Sequence, residues 1–108
     1  MGIKIKTFGD HIRHLRENSG LTLKEVASNI GVDTSLLSKI ERSERQANDD
    51  FIKKISSFFH VRENFLKKEY LSDQIAYKVL NENDNVEILK VAEQKIKFFG
   101  KNSNTRQK

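Results

Sequence analysis

The sequence predicts an all-α fold in two parts: a bundle of five short helices and, after it, a C-terminal helical pair. Three observations predict it. The 108 residues include no proline, where a frequency of about 5% is usual, so nothing of that kind interrupts helical hydrogen bonding. Apolar residues recur at three- and four-residue spacing, the period of a single helix face. The segments so defined are bounded by cap signals: Ser, Thr, Asp or Asn ahead, and Gly or a turn cluster behind. Leu, Ile, Val and Phe number 32, enough for one modest core.

Each element follows from its own residues. Thr7 can cap a first helix carrying Phe8, Ile12 and Leu15 on one face, which should stop near Gly20. Thr22 opens a second, and Glu25 three residues on completes a capping box. Leu23, Val26, Ala27 and Ile30 form its inner face, and Gly31 supplies the positive φ that ends it. After Gly31-Val32-Asp33 a third helix begins, capped by Asp33, with Leu37 and Ile40 inward. Two helices of about eight residues joined by so short a Gly-containing turn make a helix-turn-helix. A fourth starts at Asn48 or Asp49 and holds Phe51, Ile52, Ile55, Phe58 and Phe59, with His60 at its left-handed end. A fifth, short helix runs through Phe65, Leu66 and Tyr70; Ser72 can cap a further one with Ile75, Ala76, Val79 and Leu80. Asn81–Asn85 is a turn cluster, and a last helix covers Val86 to Phe99. The expected organisation is therefore a domain over 1–71, a helical extension over 72–99, and a disordered basic tail over 100–108.

Several functions are excluded early. The chain has no cysteine, hence no disulfide, Cys-bound zinc or thiol catalysis. No apolar run approaches the roughly 20 residues that span a bilayer. The N-terminal residues lack a signal-peptide core, so a cytoplasmic location is expected. There is no P-loop, GxGxxG or GxSxG pattern, and the carboxylates are scattered rather than paired. His11 and His14 could in geometry share a metal, but with no third ligand they read as surface histidines. No catalytic residue, cofactor or metal is expected. The formal charge of +5 suits a polyanion without requiring one, since much of it is diffuse.

The segments Phe8–Thr22, Glu25-Val26-Ala27, Gly31-Val32 and Leu37–Arg42 resemble the phage repressor and Cro (Xre-type) helix-turn-helix proteins. The likeness continues to about Leu71. It implies a five-helix, repressor-like domain whose third helix enters the major groove of double-stranded DNA. By that resemblance Thr34, Ser35 and Lys39 are base-reading residues, with Ser38 adjacent. The residues themselves agree: Ser35, Ser38, Lys39 and Arg42 form one polar stripe opposite Leu37 and Ile40. Lys39 can reach the O6 and N7 acceptors of guanine. Leu36, at the stripe's edge, either touches a thymine methyl or is simply half-buried. The chain departs from the family pattern at Leu23 and Thr34, where Gln is usual. A Gln can pair bidentately with adenine and Thr cannot, so family operator sequences do not transfer.

Phosphate contacts are expected at Thr22, Leu23, Lys24, Arg42, Arg45 and Asn48. Thr22 and Asn48 cap helices two and four, whose N-terminal amides and dipoles suit anions. For Lys24 and Arg45 a plain solubility role is equally open. Arg16 and Glu41 resemble the family's internal ion pair between helix one and the end of helix three, a structural role.

The C-terminal helices offer Ile75 and Val79, then Leu89, Ala92, Ile96 and Phe99 along one face. They could fold over Phe58, Phe65 and Tyr70, or pair with their copies. Pairing is favoured, because two half-sites about 34 Å apart need two copies, and because residues 72–99 have a net charge of −1. Those six residues are the expected dimer interface. The expected function is a homodimeric, sequence-specific regulator on a pseudo-palindromic operator, a phage-type repressor or a restriction–modification controller. An antitoxin whose C-terminal helices bind a protein partner is the alternative, and a scaffold that has lost DNA binding is a third.

Overall fold

The structure, a computed structural model, describes residues 6–102. Among these residues there are six helices and no strand: α1 (Phe8–Asn18), α2 (Leu23–Ile30), α3 (Thr34–Glu41), α4 (Asp49–Phe59), α5 (Glu63–Val79) and α6 (Asn85–Lys101). The described residues divide into two compact units, one ending at Gln74 and the other beginning at Ile75.

In the first unit one core gathers all five helices. Its fully buried side chains are Ile12 from α1, Val26 from α2, Leu37 from α3, Ile52 and Ile55 from α4, and Leu66 from α5. Burying each stabilises the fold by on the order of 1.5–3 kcal/mol. Both capping boxes form. Thr7 Oγ1 accepts from the Asp10 amide at 3.0 Å while Asp10 accepts from the Thr7 amide at 3.2 Å. The latter bond, with Arg13 close by, holds the Asp10 carboxyl below its usual range against the opposing effect of burial. Thr22 and Glu25 repeat the arrangement at 3.0 and 2.8 Å. Asp33 caps α3 by position alone, without a side-chain hydrogen bond.

The first four helices are stopped alike, by a left-handed residue followed by an amide that turns back onto the helix. Gly31 (φ +75°) ends α2, and the Val32 amide reaches the Ala27 carbonyl at 3.0 Å. Ser43 (φ +62°) and His60 (φ +58°) do the same after α3 and α4 without being glycine.

Two boundaries differ from expectation. No chain break or cap separates a fifth and a sixth helix at Ser72. α5 runs on to Val79, and the Ser72 hydroxyl bonds back to the Glu69 carbonyl at 3.0 Å, inside the helix rather than capping a new one. Two ties of the first unit also lie beyond Leu71. The Phe8 amide, an orphan donor at the start of α1, is satisfied by Asp73 at 2.8 Å, and Gln46 bonds to Gln74 at 3.1 Å. At the other end α6 continues through Gly100 and Lys101, and Asn102 closes it with side-chain and backbone bonds to the Phe98 carbonyl. What was expected of the tail from residue 103 onward lies outside the described residues.

The second unit holds the last turn of α5, a turn with Asp84 left-handed (φ +59°), and α6. Asn85 ties that turn to the Leu80 carbonyl at 3.2 Å. No side chain of α6 is buried within the chain.

Candidate nucleic-acid interface

The geometry of α3 is set from beneath by a close backbone approach. A Cβ on Gly9 of α1 would lie 2.4 Å from the Glu41 carbonyl oxygen and 2.6 Å from that of Ile40. Only glycine lets α1 come that near the last turn of α3. Beside this contact Arg16 grips Glu41 with two parallel bonds, Nε to Oε2 at 2.8 Å and Nη2 to Oε1 at 3.0 Å, and its Nη1 donates to the Leu21 carbonyl at 3.1 Å. Only 13% of the Arg16 side chain and 4% of that of Glu41 are exposed. The hydrogen bonds to Glu41 raise the Arg16 pKa above its ordinary value despite burial. With Leu37 and Ile40 sealed in the core, α3 has one orientation on the domain.

That orientation leaves Thr34, Ser35 and Lys39 exposed and Ser38 half-buried on the outer side of α3. Leu36 is half-buried and packs against the core's margin. Ser38 is not independent of its neighbours: its hydroxyl accepts a bond from Arg42 Nη1. Arg42 in turn holds Glu44 through two bonds, Nε to Oε2 at 3.0 Å and Nη2 to Oε1 at 3.1 Å. The base-reading and phosphate-binding residues expected at Ser38 and Arg42 thus form one bonded group.

The helix N-termini are not equivalent. At α2 the capping box uses the Thr22 and Glu25 amides, which leaves those of Leu23 and Lys24 at the open end. Lys24 is exposed beside them. At α4 the Asn48 side chain accepts from the Phe51 amide at 2.8 Å. Asp49 and Asp50 already complement that end's dipole and pair with Lys67 at 3.7 Å and Lys54 at 3.0 Å. A phosphate is better received at α2 than at α4. Arg45 is exposed in the connection that follows α3.

The two histidines expected at the surface are half-buried. His11 is half-buried, its ring meets Phe65 edge-on at 5.3 Å, and its Nε2 lies 3.2 Å from Glu69. The His14 Nδ1 is buried without a hydrogen-bond partner. The contacts of His11 tie α1 to α5 and are turned to packing. No cluster of three metal-ligating side chains occurs among the described residues.

Among the six residues expected at a dimer interface, Ile75, Leu89, Ile96 and Phe99 are exposed and Val79 and Ala92 half-buried. The open apolar surface is wider than that stripe. Val86 and Ile88 lie beside it, as their spacing in the sequence places them, and the surface also takes in Val91 and Phe98, the last 62% exposed. The i, i+3, i+7 reading follows one line along the helix and misses the second, which Val91 and Phe98 form at i, i+7.

A family-wide sequence profile, helix-turn-helix, matches residues 12–66, just over half of the chain. No curated protein and no solved structure matches it. The matched stretch begins within α1, contains the whole of α2, α3 and α4, and ends at Leu66, the buried anchor of α5.

Proposed function

Because the chain belongs to the helix-turn-helix family of DNA-binding transcription regulators, in its repressor and Cro (Xre) type, we propose that it acts as a homodimer on a pseudo-palindromic operator, with α3 in the major groove of each half-site. One observation carries this reading. Thr34, Ser35 and Lys39 stand exposed on a helix whose other side is locked by Leu37, Ile40 and the buried Arg16–Glu41 pair. A rigid helix with short hydroxyl side chains at its start brings the backbone close to base edges, and Lys39 then reaches guanine acceptors. The Leu23 and Lys24 amides, Thr22, Arg45 and Asn48 are the phosphate contacts that set register.

The second copy is the partner favoured for the C-terminal unit. In water, the apolar side chains along α6 gain by burial, and two recognition helices about 34 Å apart are what successive major grooves require. A surface of little net charge suits a protein neighbour better than a polyanion. A phage-type repressor and a restriction–modification controller are equally consistent with this chemistry. An antitoxin would share it and differ in burying the same α6 face against a protein of another kind.

The test compares two substitutions on the cognate site. Lys39→Ala is expected to cost about 1–3 kcal/mol and relax the preference at one base pair per half-site, since a base contact is lost. Arg45→Ala should weaken all sequences alike and make the salt dependence shallower by about 0.9 per protomer. Uniform loss from both would reassign Lys39 to the phosphate contacts. Binding to the operator that does not change with salt would contradict the electrostatic half of the reading.

A further inference from the structure

We propose that Glu44 is a built-in competitor of the DNA backbone, holding Arg42 out of the phosphate contacts and so lowering sequence-independent binding. The inference rests on the DNA-binding reading above. It begins with the turn after α3. Ser43 is left-handed, its amide bonds to the Ile40 carbonyl at 3.0 Å, and the Glu44 amide bonds to the Lys39 carbonyl at 2.8 Å. This double closure sends the chain back over the end of α3 and sets the Glu44 carboxylate beside the cations of that end.

There the carboxylate meets the guanidinium of Arg42 fork to fork, with bonds of 3.0 and 3.1 Å. Two oxygens on two nitrogens is the arrangement in which an arginine receives a phosphate. The remaining nitrogen, Nη1, is held by Ser38. Every nitrogen of the guanidinium is therefore engaged by α3 or its terminal turn before any DNA arrives. The two side chains are 53% and 54% exposed, so the pair sits where a phosphate could reach it and compete. The Glu44 carboxyl lies below its usual range through its hydrogen bonds to Arg42, with the charges of Arg42 and Lys39 adding to the effect. It is thus an anion set among cations that the interface would otherwise present to DNA. A phosphate seeking the Nε–Nη2 edge of Arg42 must displace Glu44, and one that takes the N–H groups left on Nη1 and Nη2 lies beside the Glu44 charge, which offsets part of the attraction.

The experiment uses the full chain and a mixed-sequence duplex of about 30 base pairs, long enough for two successive major grooves. Affinity is measured over a range of salt for the unmodified protein and for Glu44→Gln, Arg42→Ala, the double variant, and Glu82→Gln. The last removes the same charge from the turn before α6. Glu44→Gln is expected to bind roughly threefold tighter or more at low salt, with a dependence steeper by about 0.9 per protomer, the signature of one added phosphate contact. Arg42→Ala alone should weaken binding, because it leaves the Glu44 charge uncompensated beside the DNA, whereas the double variant, which removes both charges, should return to the affinity and salt dependence of the unmodified protein. The proposal is overturned if Glu44→Gln gains no more than Glu82→Gln. It is equally overturned if the double variant binds more weakly and with a flatter salt dependence than the unmodified protein, because Arg42 would then already grip phosphate. Salt-dependent binding by the unmodified protein keeps the DNA reading intact in both cases. If none of the five proteins binds, that reading falls and the proposal with it.

Discussion

Gly9→Ala is expected to destabilise the first unit by about 3 kcal/mol, the upper part of the range for overpacking a well-filled interior. The added Cβ would sit 2.4 Å from the Glu41 carbonyl oxygen and 2.6 Å from that of Ile40. Both are backbone atoms, so no rotamer change relieves the clash; α1 and the last turn of α3 must separate. Denaturant titration reads the loss as a lower midpoint, and thermal melting as a fall of more than roughly 10 °C. Gly100→Ala is the control. It too lies within a helix, but nothing stands within 4 Å of its added Cβ, so it should gain about 0.5–1 kcal/mol from helix propensity. DNA affinity should fall in Gly9→Ala even where the protein is still folded, because the atoms displaced belong to α3. If the two alanines behave alike, the close approach of α1 and α3 is not what Gly9 provides.

Arg16→Ala should cost about 3–5 kcal/mol, since it leaves the carboxylate of Glu41 buried and unpaired. With 4% of that side chain exposed, water cannot replace the two lost bonds. Replacing both partners together by Met should cost far less, because the desolvation of two charges disappears along with their attraction. Comparing the single and double variants by urea titration separates the two contributions. A single variant within 1 kcal/mol of the unmodified protein, on the scale of exposed pairs, would mean that the pair is solvated and does not hold α3.

How much of this was legible depended on whether the signal was local. The caps at Thr7 and Thr22 and the end at Gly31 read directly, because each motif is complete within four or five residues. The inward faces of α2 to α4 read from spacing for the same reason, as did Phe8 and Ile12 on α1, whose Leu15 lies outside the core. Gly9 did not. In the sequence it is an ordinary glycine one residue inside a helix, and its reason lies some thirty positions away, in the carbonyls of Ile40 and Glu41. Asp73 was missed likewise, since its partner is the amide of Phe8. Ser43 carries no glycine to announce a left-handed turn, so the return of Glu44 onto Arg42 was invisible. The cap assigned to Ser72 was a local signal that lost: with no Gly or Pro to stop α5, the hydroxyl found a carbonyl inside the helix instead. Arg16 and Glu41 were named through the family likeness rather than their spacing, and in the structure they meet in two bonds.

The central claim is that two copies of α3 read successive major grooves. Selection of bound duplexes from a random pool, using the full chain at about 0.15 M salt, tests it most directly, because neither the operator nor the oligomeric state need be known beforehand. Two copies of α3 should enrich an inverted repeat whose half-site centres are about 10 base pairs, or one helical turn, apart. Lys39→Ala should lose the preference at one position in each half. Enrichment of a single unrepeated half-site would contradict the dimer, and a pool that emerges unenriched would contradict sequence-specific reading by α3.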